Sequence, residues 1–478
     1  MSVRHAREKY GSTDPDLLVV GAGSAGFSAA ITAADAGADV ILIGSGMIGG
    51  TCVNVGCVPS KNLIRAMQAI HDGQAMVRFD GIQGAGRIVD WAALIRQKNG
   101  LVEDLRKAKY ENLLGAYPNI SYIAGTAWFT GDGTQMRVGA ATCRPKKIVL
   151  ATGASSALPP INGIQRVPVL DSTSALELDR IPDSLMVVGG GPVGCELGQM
   201  FARAGADVTI CCRRRLLPNA EPEASEALAD CLRSEGVTVR EGVHYQTIER
   251  TDKGVRLVCE TEEGETLIDA EQSLAAVGRR PNTKALRLGR AGIGVTANGG
   301  VQVDEFMRST HPDVYAAGDV TGRDMLVYMA AYGGKIAARN ALNGNAYRYT
   351  NAAMPEVIFT DPQVATAGMT GAQARAKGLK VKTSTLPLDN VPRFIASFDT
   401  RGLIKLTADA DTDKLLGASV VAPEAGDSIQ TVVMALKAGL TTSELADTIF
   451  PYLTAVEGLK LAAQSFSKDV NKLSCCAG

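Results

Sequence analysis

The sequence predicts an α/β fold with two doubly wound domains, followed by a C-terminal α+β region. The order strand, glycine turn, helix and strand occurs at "DLLVVGAGSAGFSAAITAADAGADVILIG" and again at "SLMVVGGGPVGCELGQMFARAGADVTICC". After residue 350, strand-like runs such as "GLIKLTAD" and "LLGASVVAP" alternate with helical segments. A chain of 478 residues with 46% hydrophobic residues is long enough for several such domains.

The first glycine motif predicts a dinucleotide-binding turn. Gly21, Gly23 and Gly26 have the G-x-G-x-x-G spacing directly after an apolar run. The first glycine permits the tight turn, the second lets the backbone approach a pyrophosphate, and the third lets helix and strand pack closely. The next strand, "VILIG", ends in Gly44. An acid that would hold a ribose hydroxyl is expected there, so the ribose contact is left open.

The second glycine motif predicts a second dinucleotide site. Gly189, Gly191 and Gly194 repeat the spacing after another apolar strand. The following strand ends without an acid and runs into three arginines, of which Arg213 and Arg214 are the first two. Because arginine accommodates a 2′-phosphate, this site is predicted to prefer NADP(H). The alternative is that the arginines belong to a solvated loop.

Three further segments follow apolar strands and are predicted to close these nucleotide lobes. They are "ATGA" with Thr152 and Gly153, "AVGRRPNT" with Gly278, and "VYAAGDV" with Asp319. A carboxylate at the last position can accept hydrogen bonds from polyol hydroxyls. Two dinucleotide sites in one chain indicate a flavin and a nicotinamide.

The segment "GGTCVNVGCVPSKNLIRAMQAI" carries Cys52 and Cys57, which are predicted to be a redox pair. In one continuous helix their Cα atoms would be separated by a rise of about 7.5 Å, beyond the roughly 4.4–6.8 Å of a disulfide. If they pair, Cys52 therefore lies before the regular helix, and nearby glycines permit the distortion. Cys57 then lies near the helix start, where the helix dipole favours the thiolate. The alternative is two buried thiols without redox function.

Composition and charge give no indication of a nucleic-acid partner, a membrane or a secretion signal. The net charge of −1 gives no indication of a nucleic acid or an anionic membrane as a partner. The apolar runs are far shorter than the about 20 residues needed to span a bilayer. The polar start "MSVRHAREKYGSTDPD" lacks the apolar core of a signal peptide, so the cytoplasm is the predicted compartment.

The motif "GGTCVNVGCVPSK" resembles the active-site signature of the flavin disulfide oxidoreductases, the family of glutathione reductase and lipoamide dehydrogenase. The resemblance extends over nearly the whole chain. It implies a homodimer and electron flow from NADPH to FAD and on to the cysteine pair, with Gly50, Thr51 and Lys61 at the flavin. The domains it implies are an FAD domain (1–155), an NADP domain (156–280), a second FAD or central part (281–350) and a dimerisation domain with the C-terminal tail (351–478).

Two departures from the disulfide-reducing members point to a different substrate. Those members carry a His–Glu dyad near the C-terminus, but here "FPYLTAVEGLK" has Glu457 with Tyr452 at the histidine position. A tyrosine of pKa near 10 protonates a leaving thiol poorly. The chain also ends in "LSCCAG", with Cys475 and Cys476 adjacent. Their Cα atoms are about 3.8 Å apart, so a bond between them is strained and the pair is predicted to be a dithiol.

Together these features resemble the mercuric reductases. The resemblance implies that Cys475 and Cys476 of one subunit capture Hg(II) from a thiol complex and pass it to Cys52 and Cys57 of the other subunit. These four cysteines are then the metal ligands. Tyr452 and Tyr110 lend phenolic oxygens near the inner pair.

Two other hypotheses compete with this interpretation. A disulfide reductase whose tail cysteines form a second redox centre explains the tail, but it does not explain Tyr452. A flavoprotein that sequesters thiophilic ions without turnover has no need of an NADP site with three arginines.

Overall fold

The computed structural model describes residues 14–131, 133–139, 141–262 and 264–470. The chain forms two compact units. The first contains residues up to Ser60 together with 93–157 and 278–350, and the second contains 61–92, 158–277 and the residues from Asn351 on. The predicted tail pair, Cys475 and Cys476, lies outside the described residues.

The strands are numbered in chain order. They are β1 Leu17–Val20, β2 Val40–Gly44, β3 Ile120–Ala124, β4 Ala127–Phe129, β5 Met136–Val138, β6 Ala141–Cys143, β7 Lys147–Leu150, β8 Ala154–Ser156, β9 Ser184–Val188, β10 Asp207–Cys211, β11 Thr238–Arg240, β12 His244–Thr251, β13 Gly254–Thr261, β14 Gly264–Ala270, β15 Gln272–Ala275, β16 Arg279–Pro281, β17 Val314–Ala316, β18 Pro355–Ile358, β19 Gln363–Gly368, β20 Val381–Pro387, β21 Leu403–Asp409 and β22 Leu415–Ala422.

The helices are numbered in the same way. They are α1 Ser24–Asp35, α2 Gly50–Val55, α3 Cys57–Ala75, α4 Trp91–Arg106, α5 Asn112–Leu114, α6 Ser172–Ala175, α7 Pro192–Ala204, α8 Pro222–Ser234, α9 Val327–Asn343, α10 Gly371–Ala376, α11 Pro392–Ala396, α12 Ala425–Ala438, α13 Thr442–Asp447 and α14 Glu457–Gln464. A π-helical turn, Lys107–Glu111, joins α4 to α5. Short 3₁₀ turns occur at Met76–Arg78, Ile164–Arg166, Lys284–Leu286, Leu288–Ala291, Gly318–Thr321 and Leu388–Asn390.

A parallel five-stranded sheet in the order β17-β7-β1-β2-β3 forms the centre of the first unit. All residues of β1 and β2 are buried, which explains why they read as continuous apolar runs rather than as alternating ones. Helices α1 and α9 pack together, and the Ser28 hydroxyl donates to the Ala331 carbonyl at 2.6 Å. The order is that of a doubly wound sheet, whose ligands bind at the carboxyl ends of the strands.

The second unit contains a parallel sheet and two antiparallel sheets. The parallel sheet has the order β11-β10-β9-β15, and β12-β13-β14 form an antiparallel sheet that lies between β11 and β15 in the chain. The order β18-β19-β22-β21-β20 forms the antiparallel sheet of the C-terminal region. Its core buries Leu406, Val432 and Leu459 completely, so helices α12 and α14 cover this sheet. The α/β class with a C-terminal α+β region is confirmed.

Among the described residues, none of the helices combines the length and the apolar character that a membrane crossing requires.

Candidate active site

A cavity of about 760 Å³ opens at the carboxyl ends of the strands of the first unit. Its size is within the range of ligand and cofactor sites. It collects nine of the predicted site residues, which come from four separate stretches of the chain. They are Gly21, Gly23, Gly50, Thr51, Cys52, Cys57, Thr152, Gly153 and Asp319. The sequence therefore identified residues that the fold brings together across about 300 positions.

The glycines of this cavity form a cradle that side chains would fill. Gly21 has φ +122°, and a Cβ there would collide with the carbonyl of Ala151. A Cβ at Gly50 would lie 2.6 Å from the Cα of Gly23, so the first glycine motif and the start of the cysteine segment meet backbone to backbone. Gly26 is buried behind the turn against Gly21 and serves close packing. A cavity bounded by bare backbone beside the N-terminus of α1 fits the pyrophosphate of FAD.

Asp319 lies in the 3₁₀ turn after β17, at the end of a buried strand. Burial raises the pKa of its carboxyl, and the positive charge of Arg279 acts in the opposite direction. Arg279 Nε lies 3.8 Å from Asp319 Oδ2, and the same guanidinium also donates to the carbonyl of Ala154. Arg279 thus partly offsets the effect of burial on Asp319, whose carboxyl oxygens remain acceptors for hydroxyl groups in the cavity. The sequence pointed to Asp319 but did not single out Arg279.

The segment before β8 is held by a reciprocal pair of hydrogen bonds. Thr152 Oγ1 donates to the carbonyl of Asn282 at 2.8 Å, and Asn282 Nδ2 donates to the carbonyl of Thr152 at 3.0 Å. The carbonyl of Gly278, where φ is +110°, accepts from the amide of Ala157 at 2.9 Å. "ATGA" and "AVGRRPNT" therefore fix each other, as β8 and β16 pair.

The cysteine pair spans a break between two helices. Cys52 lies in the six-residue helix α2, Cys57 is the first residue of α3, and Gly56 between them has φ −125° and ψ −112°. A Cβ at Gly56 would lie 2.9 Å from the Thr51 carbonyl and 3.3 Å from the Cys52 Cα, so the glycine lets the two helices approach. Cys52 lies before the long helix, as the sequence predicted, but inside a short helix of its own. Cys57 is placed where the helix dipole favours a thiolate.

Tyr110 is within electrostatic reach of both cysteines. It sits in the π-helical turn Lys107–Glu111, a feature often found at functional sites. Its ring packs edge-on against Phe27 with centroids 4.9 Å apart, and a side-chain hydrogen bond links it to Ser24. Burial raises the pKa of Tyr110, and the charges of Cys52 and Cys57 raise it further. Its phenol therefore stays protonated within electrostatic reach of both sulfurs.

The second glycine motif repeats the geometry of the first. Gly189 has φ +118°, and a Cβ there would lie 2.5 Å from the carbonyl of Ala276. Gly191 is the N-cap of α7, and a Cβ at Gly194 would collide with the carbonyl of Gly189. The turn thus presents bare backbone at a helix N-terminus, as a pyrophosphate requires.

The three arginines after β10 divide into two kinds. Arg213 and Arg214 are exposed. Arg215 is half-buried and donates to the carbonyl of Ala220 at 2.7 Å, so it supports the loop instead. The preceding Cys212 is buried, which raises its thiol pKa to about 12 and agrees with a packing role.

An ion pair that the sequence did not reveal holds Lys61. Its Nζ lies 2.7 Å from Glu196 Oε2, and its ammonium lies 4.8 Å from the ring centroid of Phe359. The other Glu196 oxygen accepts from the amide of Phe359 at 2.9 Å. Glu196 is buried on α7, and the one available signal was a carboxylate inside the apolar run "GCELGQM".

In the C-terminal region, Glu457 is buried and its Oε2 accepts from the amide of Leu453 at 3.0 Å. Leu453 has φ +60°, a left-handed conformation that a leucine adopts at a cost. Tyr452 is 56% exposed. The carboxylate is thus used to hold a strained turn beneath an accessible phenol.

A cluster of one histidine and two acidic residues in the second unit has no recognisable pattern in the sequence. One ligand atom each of His71, Glu235 and Asp361 lies within 4.8 Å of the others. Arg203 pairs with both carboxylates at 2.6 and 2.7 Å, and Arg401 lies 3.3 Å from Glu235. Two guanidiniums already neutralise the carboxylates, so the cluster is a buried ion-pair network.

Comparisons with known proteins agree with this geometry. The family described as pyridine nucleotide-disulphide oxidoreductase matches residues 15–334, and its dimerisation domain matches residues 354–463. The mercuric reductase of Bacillus cereus is 44% identical over 469 residues, which cover 98% of this chain and 74% of that protein. The mercuric reductase of Streptomyces lividans is 44% identical, with 98% and 99% covered.

A solved structure is also similar. It is the Cu(II) complex of the HOCl-induced flavoprotein disulfide reductase RclA from Escherichia coli, with a TM-score of 0.83 and 33% identity. The match covers 95% of this chain and 100% of that chain.

These matches imply FAD and NAD(P)H as cofactors, and the dimerisation domain supports a homodimer. The cradle of glycines and the carboxylate of Asp319 fit a flavin dinucleotide in the first unit. The chain belongs to the pyridine nucleotide-disulphide oxidoreductase family and, within it, to the mercuric reductases.

Proposed function

We propose that this protein uses NADPH to reduce Hg(II), presented as a thiol complex, to Hg(0). The balanced reaction is Hg(SR)₂ + NADPH + H⁺ → Hg(0) + NADP⁺ + 2 RSH. The nicotinamide gives up a hydride, which amounts to two electrons and one proton, and solvent supplies the second proton. Both mercury–sulfur bonds break, the two electrons reduce the ion, and each thiol leaves with one of the two protons. Bound FAD supplies the two-electron transfer between NADPH and the site of Cys52 and Cys57.

In this proposal the inner cysteines hold the ion. Thiolate sulfur is the ligand that soft, thiophilic ions prefer. Cys57 at the start of α3 is positioned to be that thiolate, and Cys52 faces the same cavity. The protonated phenol of Tyr110 beside both sulfurs supplies a neutral oxygen and no further charge.

One observation carries the choice of substrate, namely how the C-terminal region uses Glu457. In a disulfide reductase this carboxylate would orient an imidazole that protonates the leaving thiol. Here the carboxylate accepts a hydrogen bond from the amide of Leu453, and Tyr452 stands at the position of the expected histidine. The sequence contains no histidine after His311. This arrangement supports a reaction in which no imidazole protonates a leaving organic thiol in the site.

Delivery of the ion by the C-terminal dithiol is the finer part of the proposal. Cys475 and Cys476 of one subunit take Hg(II) from its carrier thiols and pass it to Cys52 and Cys57 of the other subunit. An adjacent cysteine pair resists closing into a disulfide and so remains available as two thiols. Tyr452, exposed on the described part of the C-terminal region, is proposed to line this route.

The remaining predicted contacts belong to cofactor binding. Gly50 and Thr51, which line the cavity, are proposed at the flavin. Lys61, whose ammonium is held by Glu196, stays a predicted flavin contact. Exposed Arg213 and Arg214 are proposed to bind the 2′-phosphate of NADPH.

A second candidate function is disulfide reduction with the tail as an additional redox centre. The similarity to a flavoprotein disulfide reductase at 33% identity favours keeping it as the competitor. The two functions differ in their electron acceptor, so one assay separates them.

The experiment compares NADPH oxidation with Hg(II) in excess small thiol and with oxidised glutathione. We expect rapid, flavin-dependent oxidation and release of mercury vapour with Hg(II), and negligible turnover with the disulfide. Comparable turnover of oxidised glutathione, or an absence of vapour, would contradict the proposal.

The tail is tested with the double variant Cys475→Ala, Cys476→Ala. Turnover should fall for Hg(II) held by bulky thiols and be retained for small complexes. Cys231→Ala is the control, because burial raises the pKa of that thiol to about 11 and removes it from metal capture at neutral pH. Equal activity of the tail variant on both complexes would remove the tail from the mechanism.

A further inference from the structure

The end of strand β2 lacks the carboxylate that a dinucleotide-binding sheet uses to hold a ribose. In such sheets an acid about 20 residues after the glycine motif accepts a hydrogen bond from the ribose 2′-hydroxyl. Here the position is Gly44, and it is buried. The carboxylate contact to a ribose is therefore missing at this strand end.

A phenol occupies the space that the missing side chain would need. A Cβ added at Gly44 would lie 2.9 Å from the hydroxyl oxygen of Tyr122 and 2.6 Å from the Cβ of Ala22. Tyr122 lies on the neighbouring parallel strand β3, in register with Leu42, so its side chain is on the same face of the sheet as Gly44. The close contact with Ala22 also excludes a simple return to an acid at position 44.

The Tyr122 hydroxyl is available for a ligand. Within the described ranges it makes no hydrogen bond to the protein, and the side chain is only half-buried. Burial raises the pKa of Tyr122, so the hydroxyl stays protonated at neutral pH and can both donate and accept. It is a neutral substitute for a carboxylate.

The cavity is lined by residues next to Gly44 and by the residues that follow β3. Ile43 and Ser45 line the cavity on either side of Gly44, and Gly125, Thr126 and Ala127 line it just after β3. The amide of Gly125 donates to the Gly44 carbonyl at 2.7 Å and keeps the two strand ends together. The lining residues thus bracket Gly44 and follow Tyr122 in the chain.

We propose that the hydroxyl of Tyr122 binds the adenosine ribose of FAD in place of the absent carboxylate. Because Gly44 has no side chain, the phenol of Tyr122 occupies the place of the acid and provides the hydrogen-bonding partner. This assignment concerns cofactor retention and is independent of which substrate the enzyme reduces.

The test measures FAD binding to full-length protein stripped of flavin, by quenching of flavin fluorescence. Tyr122→Phe should raise the Kd by about 3–10-fold, the worth of one neutral hydrogen bond. Tyr117→Phe, which removes a phenol from the segment before β3 of the same unit, should leave the Kd unchanged. Circular dichroism and thermal melting of the holoprotein check that both variants fold.

A FAD analogue with 2′-deoxyadenosine tests the same contact without any variant. The parent protein should bind it about 3–10-fold more weakly than FAD, and Tyr122→Phe should bind both ligands equally. The proposal is overturned if the parent binds both ligands equally, or if the analogue weakens binding by the same factor in the parent and in Tyr122→Phe.

Discussion

Substitutions at Glu457 distinguish a structural role of its carboxylate from a catalytic role. Its Oε2 accepts the amide of Leu453 at 3.0 Å inside a buried environment. Glutamine keeps an acceptor oxygen in nearly the same place but removes the charge, whereas alanine removes the acceptor. If Glu457 only holds the turn, Glu457→Gln should retain turnover, and Glu457→Ala should lose mainly stability.

The expected magnitudes follow from this single contact. A hydrogen bond to a charged group contributes about 1.5–3 kcal/mol, and a neutral one about 0.5–1.5 kcal/mol. Glu457→Gln should therefore lower the free energy of unfolding by about 1–2 kcal/mol. Glu457→Ala should lower it by about 2–4 kcal/mol, because the Leu453 amide is left without an acceptor and a cavity forms. Leu453→Gly is the matched control, since at φ +60° glycine relieves about 1 kcal/mol of strain.

Chemical unfolding of the holoprotein gives the stabilities, and NADPH oxidation with Hg(II) gives kcat and its pH profile. We expect the pH profile of Glu457→Gln to match that of the parent. A kcat that falls by orders of magnitude in Glu457→Gln while stability changes little would refute the reasoning, because it would give the carboxylate a role in the chemistry.

Two further predictions concern cofactor choice and acid stability. The double variant Arg213→Ser, Arg214→Ser should raise the KM for NADPH at least about 10-fold and leave that for NADH unchanged, because lost bonds to a phosphate are charge-assisted. Arg215→Met should instead lower the melting temperature, since Arg215 supports the loop. If Arg215→Met raised the KM for NADPH as much as the double variant does, the assignment of separate roles to these arginines would be wrong. Burial and then Arg203 lower the pKa of His71, whose Nε2 is buried without a hydrogen-bond partner in the described chain. Below pH 6.5 the unfolded chain therefore binds a proton at His71 more readily than the folded protein does. The free energy of unfolding decreases as the pH is lowered, by less than about 1.4 kcal/mol per pH unit. Urea titrations of His71→Gln should show a smaller decrease over the same pH range.

The parts of the site that the sequence predicted are those encoded by neighbouring residues. The spacing of Gly21, Gly23 and Gly26 is a local rule, because turn, helix start and strand packing all lie within one βα unit. The same holds for Cys57 at a helix start, since Gly56 breaks the helix one residue earlier. Such features need no knowledge of the tertiary fold.

The parts that the sequence did not predict depend on contacts between distant residues. Glu196 reaches Lys61 across 135 positions, and no local pattern indicates that partner. Gly44 was recognised as anomalous, yet the filling of its space by Tyr122 depends on strand register. The predicted domain boundaries and the roles of the site residues stay predictions.

The π-helical turn that carries Tyr110 has a consequence for how this site could arise or be lost. Each residue of an α-helix turns the chain by about 100° and advances it by 1.5 Å. Removing one codon from the stretch 107–109 would convert the turn to regular winding and swing the phenol about a quarter of a revolution away from the sulfurs. A single in-frame insertion or deletion is therefore enough to move this aromatic oxygen towards or away from the two inner cysteines, with every other residue of the pocket unaltered.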